Sequence, residues 1–263
     1  MVTDDRARQA AALIEAAWRS GEALEALPGA TRPRDDAEGY AAQAALEEAV
    51  GDAVVGWKIA ATSTAGQAHI GVNAPIAGRI FARRRHSSPA EVSMAGNRMA
   101  VAEAEFAFMF RSALPPRDTP YELAEVMAAV GSLHPAIELP SSRFTEFASV
   151  GAPSLAADNA CAHELVLGPQ AGVRWREMDL AEHPVRVHVN GALSVEGSGG
   201  DVLGDPRAAL TWLVNSPALR NRGIHVGEFV TTGVCGRPAD IVPGDRVEVD
   251  FGALGTAWVS LRA

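Results

Sequence analysis

The stretch VRVHVNGALSVEG (185–197) reads as two alternating runs on either side of Asn190-Gly191. Alternation of apolar and polar residues is the period of a strand with one buried face. A type I′ turn needs positive φ at both central residues, and Asn-Gly supplies it, so the stretch predicts an antiparallel hairpin. Downstream, EFVTTGV (228–234) and DRVEVDFGALGTAWVSL (245–261) add several short strands joined by turns such as Pro243-Gly244. Between hairpin and strands, DPRAALTWLVNSP (205–217) predicts a helix with Asp205 as its cap and Pro206 at its first position. Upstream, RMAVAEAEFAFMF (98–110) alternates like a strand and LPPRDTP (114–120) reads as a loop. YELAEVMAAV (121–130) predicts a helix capped by Thr119 with Pro120 first, and HPAIELP (134–140) a short extended segment bounded by prolines.

The first fifty residues have a different grain. Ala, Leu and Ile recur at helical spacing from Thr3 to Arg19 and from Arg34 to Val50, with Asp35 and Asp36 placed to cap the second helix and meet its dipole. From Val54 onward β-branched residues, glycines and prolines take over. No internal repeat or low-complexity linker interrupts the chain. The expected class is α+β, a mixed, mainly antiparallel, rolled β-sheet with N-terminal helices. The helical region spans 1–53 and the mixed-β domain that carries the candidate site spans 54–263.

With 263 residues, 48% of them hydrophobic, the chain can bury a full core. Its net charge of −9, and the lack of any basic run longer than Arg83-Arg84-Arg85, argue against a nucleic-acid or anionic-membrane surface. That triplet reads as a solvated loop. The N-terminus opens with acids and is amphipathic, unlike a signal peptide or a membrane span, so a soluble cytoplasmic protein is expected. Cys161 and Cys235 lie in apolar segments without zinc or redox spacing and read as small buried hydrophobes.

Chemistry concentrates in a few positions. Lys58, in VVGWKIAATSTAGQAHIGV (54–72), is the only lysine beside 22 arginines. A chain that writes arginine elsewhere has a use here for a group whose proton can leave. Glu103 and Glu105 sit two apart in a strand and so project from one face, at roughly 6–7 Å, where two charges repel by roughly 2–3 kcal/mol at an effective dielectric of 20. Either that face is solvated or a cation lies between the carboxylates. Glu138 stands alone in apolar PAIELP (135–140). Three carboxylates without histidine or thiolate make an oxygen-only donor set, suited to Mg²⁺ or Mn²⁺.

The blocks GWKIAATSTAGQAHIGV, VAEAEFAFMF, HPAIELPSSRF, LAADNACAHELVLG and FVTTGV, in this order and at these intervals, resemble the 2-keto-4-pentenoate hydratases and 4-oxalocrotonate decarboxylases of the fumarylacetoacetate hydrolase superfamily. The resemblance spans nearly the whole chain. It implies a rolled mixed sheet, a homo-oligomer, and a divalent metal on Glu103, Glu105 and Glu138. It places the active-site lysine on Lys58, the A-D-N-A block on Ala157-Asp158-Asn159-Ala160 and the substrate-bordering Thr-Gly on Thr232 and Gly233. The Ser-Arg that follows the third ligand falls on Ser142 and Arg143.

The expected activity is hydration of a 2-hydroxy-2,4-dienoate to a 4-hydroxy-2-oxo acid. The rivals are decarboxylation of a 2-oxo-3-enedioate and a non-catalytic subunit that binds 2-oxo acids. Lys58 is expected to transfer protons, or else to serve as a fixed charge. Asp158 and Asn159 either position water or the lysine, or satisfy the backbone; Thr232 either meets the substrate carboxylate or is a plain strand residue. His69 is a candidate for facing the pocket but has no glutamate partner nearby in sequence, which disfavours hydrolytic C–C cleavage. His134, His163, His183, His188 and His225 show no ligand spacing and read as surface or satisfied histidines.

Overall fold

The computed structural model describes residues 2–263. Helices α1 (Val2–Ser20) and α2 (Asp36–Val50) pack on one another through Ala10, Ala11, Ile14, Ala42 and Leu46. The Asp35 carboxylate caps α2 by accepting from the Glu38 N–H at 2.9 Å, and Gly51 ends it in the left-handed region. Then follow β1 (Val54–Ala60), α3 (Thr64–His69), β2 (Ile76–Phe81), β3 (Arg85–Ser87), β4 (Ala90–Ser93), β5 (Val101–Phe110), α4 (Leu123–Ala129), β6 (Val130–Leu139), α5 (Ala152–Ala157) and β7 (Glu164–Leu167). The chain closes with β8 (Pro184–Val189), β9 (Ala192–Ser198), α6 (Pro206–Val214), β10 (Phe229–Val234), β11 (Ala239–Asp240), β12 (Arg246–Asp250) and β13 (Thr256–Arg262).

The fold is α+β around a curled mixed sheet. The larger sheet runs β2-β1-β10-β5-β6-β7-β3, with β11 paired to one end of β5; a smaller one runs β4-β13-β12-β8-β9. The β1–β10, β3–β7 and β4–β13 pairs are parallel and the other named pairs antiparallel. The β8–β9 hairpin turns at Asn190 (φ 52°) and Gly191 (φ 81°), both in the left-handed region as the sequence demands. One face of β5, Ala102, Ala104, Phe106 and Phe108, is wholly buried in the main core. Phe106 meets Phe251, the residue just after β12, edge-on at 4.9 Å.

Two elements differ from the sequence reading. Helix α4 starts at Leu123, and its cap is Glu122, not Thr119. Arg117 explains the shift: it binds the Thr119 and Pro120 carbonyls and pairs with Glu125, whose carboxylate accepts the Glu122 N–H. The segment expected over 134–140 is the second half of a ten-residue strand that runs through Pro135. Pairing with β7 begins only at Ala136, so the missing N–H of Pro135 falls outside that ladder. Arg84, in the triplet read as a solvated loop, instead pairs with Glu164 and stacks over Trp18. Both cysteines are buried and free.

Candidate metal and substrate site

Strand register builds the carboxylate cluster. Glu103 on β5 lies directly opposite Glu138 on β6, and Glu105 is two residues along the same face of β5. One oxygen from each of the three lies within 4.8 Å of the others. Glu105 and Glu138 are fully enclosed, while Glu103 is half-buried and borders a cavity. Like charges directly across a ladder are destabilising, so this register needs a compensating partner. One is Lys58 on β1, whose Nζ stands 3.1 Å from Glu138 Oε2 and donates to the Ala160 carbonyl at 3.1 Å. The lysine–glutamate contact is Coulombic: it misses hydrogen-bond angles, and both Glu138 oxygens, like Glu105 Oε1, are buried without a hydrogen-bond donor.

Burial raises all three carboxylate pKa values. For Glu138 the value reaches about 8, burial outweighing the pull of Lys58, with the charge of Glu105 adding to the rise. Glu103 rises through burial and the charge of Glu138, and Glu105 through burial and the charge of Glu103. Lys58 moves the other way from the downward tuning that its apolar sequence neighbours suggest. Burial lowers its pKa, but Glu138, Glu103 and Glu105 together outweigh that, and it stays an ammonium in this arrangement. Three carboxylates against one ammonium leave two formal negative charges, which a single dication neutralises. Orphaned oxygens, an all-oxygen donor set and that charge fit Mg²⁺ or Mn²⁺.

The other sequence candidates fall into two groups. His69 and Ser142 line the cavity with Lys58 and Glu103, His69 at its exposed rim with its ring edge-on to Phe147 at 6.0 Å. The remaining candidates hold up the site from behind. Gly233 donates its N–H to Glu105 Oε2 at 2.7 Å; its φ is 104°, and a Cβ there would lie 2.1 Å from Thr62 Oγ1. Thr232 is enclosed and donates to the Phe106 carbonyl at 3.2 Å. Asp158 accepts from Ser142 Oγ at 2.6 Å and from Arg143 Nε at 2.5 Å, and Arg143 also binds the carbonyls of Ser141, Ala162 and Asp158. Asn159 clamps β2, accepting the Arg79 N–H at 2.6 Å and donating to the Arg79 carbonyl at 2.8 Å.

Sequence reading did not single out the backbone of 159–161. Asn159, Ala160 and Cys161 take φ values of 57°, 50° and 60°, a left-handed run that non-glycine residues rarely adopt. It presents the Ala160 carbonyl to Lys58, and only a glycine fits opposite, because a Cβ on Gly78 would lie 2.2 Å from the Asn159 carbonyl oxygen. The cavity has a volume of about 580 Å³, and its apolar walls, Ile70, Met99, Phe144, Phe147 and Leu155, also carried no sequence signal as a lining. Cys161 borders it too, but burial and the charge of Asp158 push its thiol up to about 12, so it stays protonated.

This candidate cluster sits on a curled sheet of known kind. The profile described as fumarylacetoacetate (FAA) hydrolase C-terminal matches residues 46–261, and the chain belongs to that family. It is 30% identical to 2-keto-4-pentenoate hydratase 1 of Dechloromonas aromatica (strain RCB), over 94% of this chain and 93% of that protein. It is also 30% identical to the 4-oxalocrotonate decarboxylase of Pseudomonas sp. (strain CF600), over 79% and 77% of the two chains. A solved structure, 4-oxalocrotonate decarboxylase from Pseudomonas putida G7 complexed with magnesium and adipate, superposes with a TM-score of 0.88 at 27% identity over 99% of both chains. The chain thus stands on the branch of the family that holds hydratases and a decarboxylase. Among the described residues, no helix is long and apolar enough to cross a membrane.

Proposed function

We propose that this protein is a metal-dependent hydratase that adds water to a 2-hydroxy-2,4-dienoate, giving a 4-hydroxy-2-oxo acid. The observation that carries this reading is the Glu103, Glu105 and Glu138 cluster beside Lys58, with Glu105 and Glu138 enclosed and Glu103 and Lys58 lining a largely apolar cavity. A divalent cation held by the three glutamates would supply Lewis acidity to the paired oxygens of a 2-oxo or 2-hydroxy acid. Gly233 N–H fixes the rotamer of Glu105, and the strand register fixes Glu103 against Glu138. Lys58, steered by the Ala160 carbonyl, holds a proton at the cavity floor where the diene carbons would lie. Asp158, Asn159, Arg143 and Thr232 act as positioning residues behind this floor, while Ser142 and His69 border the substrate.

The cavity wall favours hydration over decarboxylation of a dioate. Apart from Lys58, the basic groups on the lining are Arg98, Arg237 and His69; all three are exposed, and both arginines donate to backbone carbonyls. A second substrate carboxylate would find hydroxyls such as those of Thr62 and Ser63 among the apolar side chains, but no buried cation other than Lys58 short of the rim. Decarboxylation remains the second reading, carried by the similarity to the adipate-bound decarboxylase structure. Incubating the protein and Mg²⁺ with a 2-hydroxy-2,4-dienoate and separately with a 2-oxo-3-enedioate decides between them. Loss of diene absorbance with a 4-hydroxy-2-oxo acid as product is expected; CO₂ release from the dioate with the dienoate untouched would overturn the reading. Metal-dependent oxalate binding with no turnover of either would mark a binding subunit.

A further inference from the structure

The cavity is larger and more apolar than the shortest dienoate requires. Its volume of about 580 Å³ lies in the range of roughly 300–1,000 Å³ that holds drug-sized ligands. Lys58 and Glu103 line the cavity, and its apolar walls come from three separate parts of the chain. Ile70 follows α3, Met99 precedes β5, and Phe144, Phe147 and Leu155 lie after β6 and in α5. Ile70, Met99 and Phe147 pack against a small core cluster yet stay half-buried, so their outer faces are open to the cavity. Apolar side chains left half-solvated inside a concave wall gain by being covered, at about 25 cal/mol per Å².

We infer that the substrate carries a bulky apolar substituent, an alkyl chain of several carbons or an aryl ring, on the end of the diene remote from its carboxylate. This rests on the hydratase reading for the reacting end and adds the chemical class of the tail. Ile70, Met99 and Phe147 are the specificity-determining residues that cover it, and Arg98 and Arg237 stay at the rim without meeting it.

A series of straight-chain 2-oxo acids from pyruvate to 2-oxooctanoate, which bind without needing turnover, tests the tail separately from the reaction. Calorimetry with Mg²⁺ present should show affinity rising by roughly fourfold per added methylene, the worth of one buried CH₂. 2-Oxohexanoate should bind at least tenfold tighter than 2-oxoadipate. In Met99→Asp the ratio of 2-oxooctanoate to pyruvate affinity should fall at least tenfold, whereas in the parent protein kcat/KM for alkyl-substituted dienoates should exceed that for the unsubstituted one. Affinity that stays flat with chain length, or a preference for the dioate, would overturn the inference even if the simplest dienoate is hydrated. A rising series with no dienoate hydrated would leave the apolar tail standing and remove the hydratase reading.

Discussion

Two buried acidic clusters lie close together in this fold and are built in opposite ways. At Asp158 the carboxylate receives the Ser142 hydroxyl, the Arg143 amide and the Arg143 guanidinium, and the guanidinium spends its other donors on backbone carbonyls. At Glu103, Glu105 and Glu138 one ammonium and one backbone N–H face three carboxylates, and three oxygens have no donor at all. A complete donor shell is what a structural buried charge needs. An incomplete one costs free energy until something else supplies the positive charge. Under the proposed function the first cluster acts as a brace and the second as a cation receptor, and the two readings make opposite predictions.

The largest expected effect tests the receptor. Glu105→Gln keeps the shape but removes a charge and a cation ligand, so turnover with Mg²⁺ should fall at least ~10⁴-fold, over 5 kcal/mol of barrier. The same variant, stripped of metal with a chelator, should melt no lower than the parent, because it relieves carboxylate repulsion. Unchanged Mg²⁺ affinity by calorimetry would remove Glu105 from the ligand set; a lower metal-free melting point would make the glutamates structural.

The brace should behave in reverse. Arg143→Leu strands the Asp158 carboxylate in a fully buried site, and breaking such a pair costs about 3–4 kcal/mol. Urea denaturation should show that loss with or without metal, and Asp158→Asn in the Arg143→Leu background should restore part of it. A loss that appeared only in catalysis, with the midpoint of unfolding unmoved, would make this cluster part of the chemistry instead.

How much of this was legible in the sequence differs between the two clusters. The strand at 101–110 announced its faces by alternation, so Glu103 and Glu105 could be placed on one side before any coordinates, and Asn190-Gly191 announced its turn. Glu138 was visible as an acid in an apolar run, but its meeting with Glu103 is a register between strands, which no local pattern encodes. The engagement of Arg143 with Asp158 was hidden because it is a tertiary contact between the segment after β6 and the end of α5. The cap of α4 was misplaced because a distant arginine, Arg117, rewrote the local rule. In the left-handed run at 159–161 only Asn159 is of a type that favours positive φ; Ala160 and Cys161 give no sign of it.

A smaller effect follows from protons at the receptor. The Glu138 pKa is raised from 4.5 to about 8, so between those values the folded, metal-free protein holds a proton that the unfolded chain lacks. Stability from this group is complete below 4.5 and is lost as pH rises through about 8, at up to about 1.4 kcal/mol per pH unit. Melting in chelator should therefore fall between pH 6.5 and pH 8, while the Mg²⁺-loaded protein, its carboxylates held ionised, should not follow. Parallel curves would show that the cluster does not take up the cation.

A proton effect of similar size and opposite sign belongs to a buried histidine. His163 accepts the Trp18 indole N–H on Nδ1 at 2.9 Å, so its one remaining proton sits on Nε2, with Glu164 Oε1 4.0 Å away. Burial, then the charges of Arg84 and Arg143, lower its pKa from 6.5 to about 3. The unfolded chain thus binds a proton across that window that the fold refuses, and stability rises with pH there, the reverse of Glu138. Lowering the pH from 7 to 5 should cost about 2 kcal/mol through this residue. His163→Gln offers the indole an amide oxygen but cannot titrate, so its deficit at pH 7 should shrink by about that amount at pH 5 in urea denaturation. A deficit that stays constant would mean that Glu164 turns toward the imidazolium and compensates it, and that this corner of the fold tolerates a charge that the present geometry excludes.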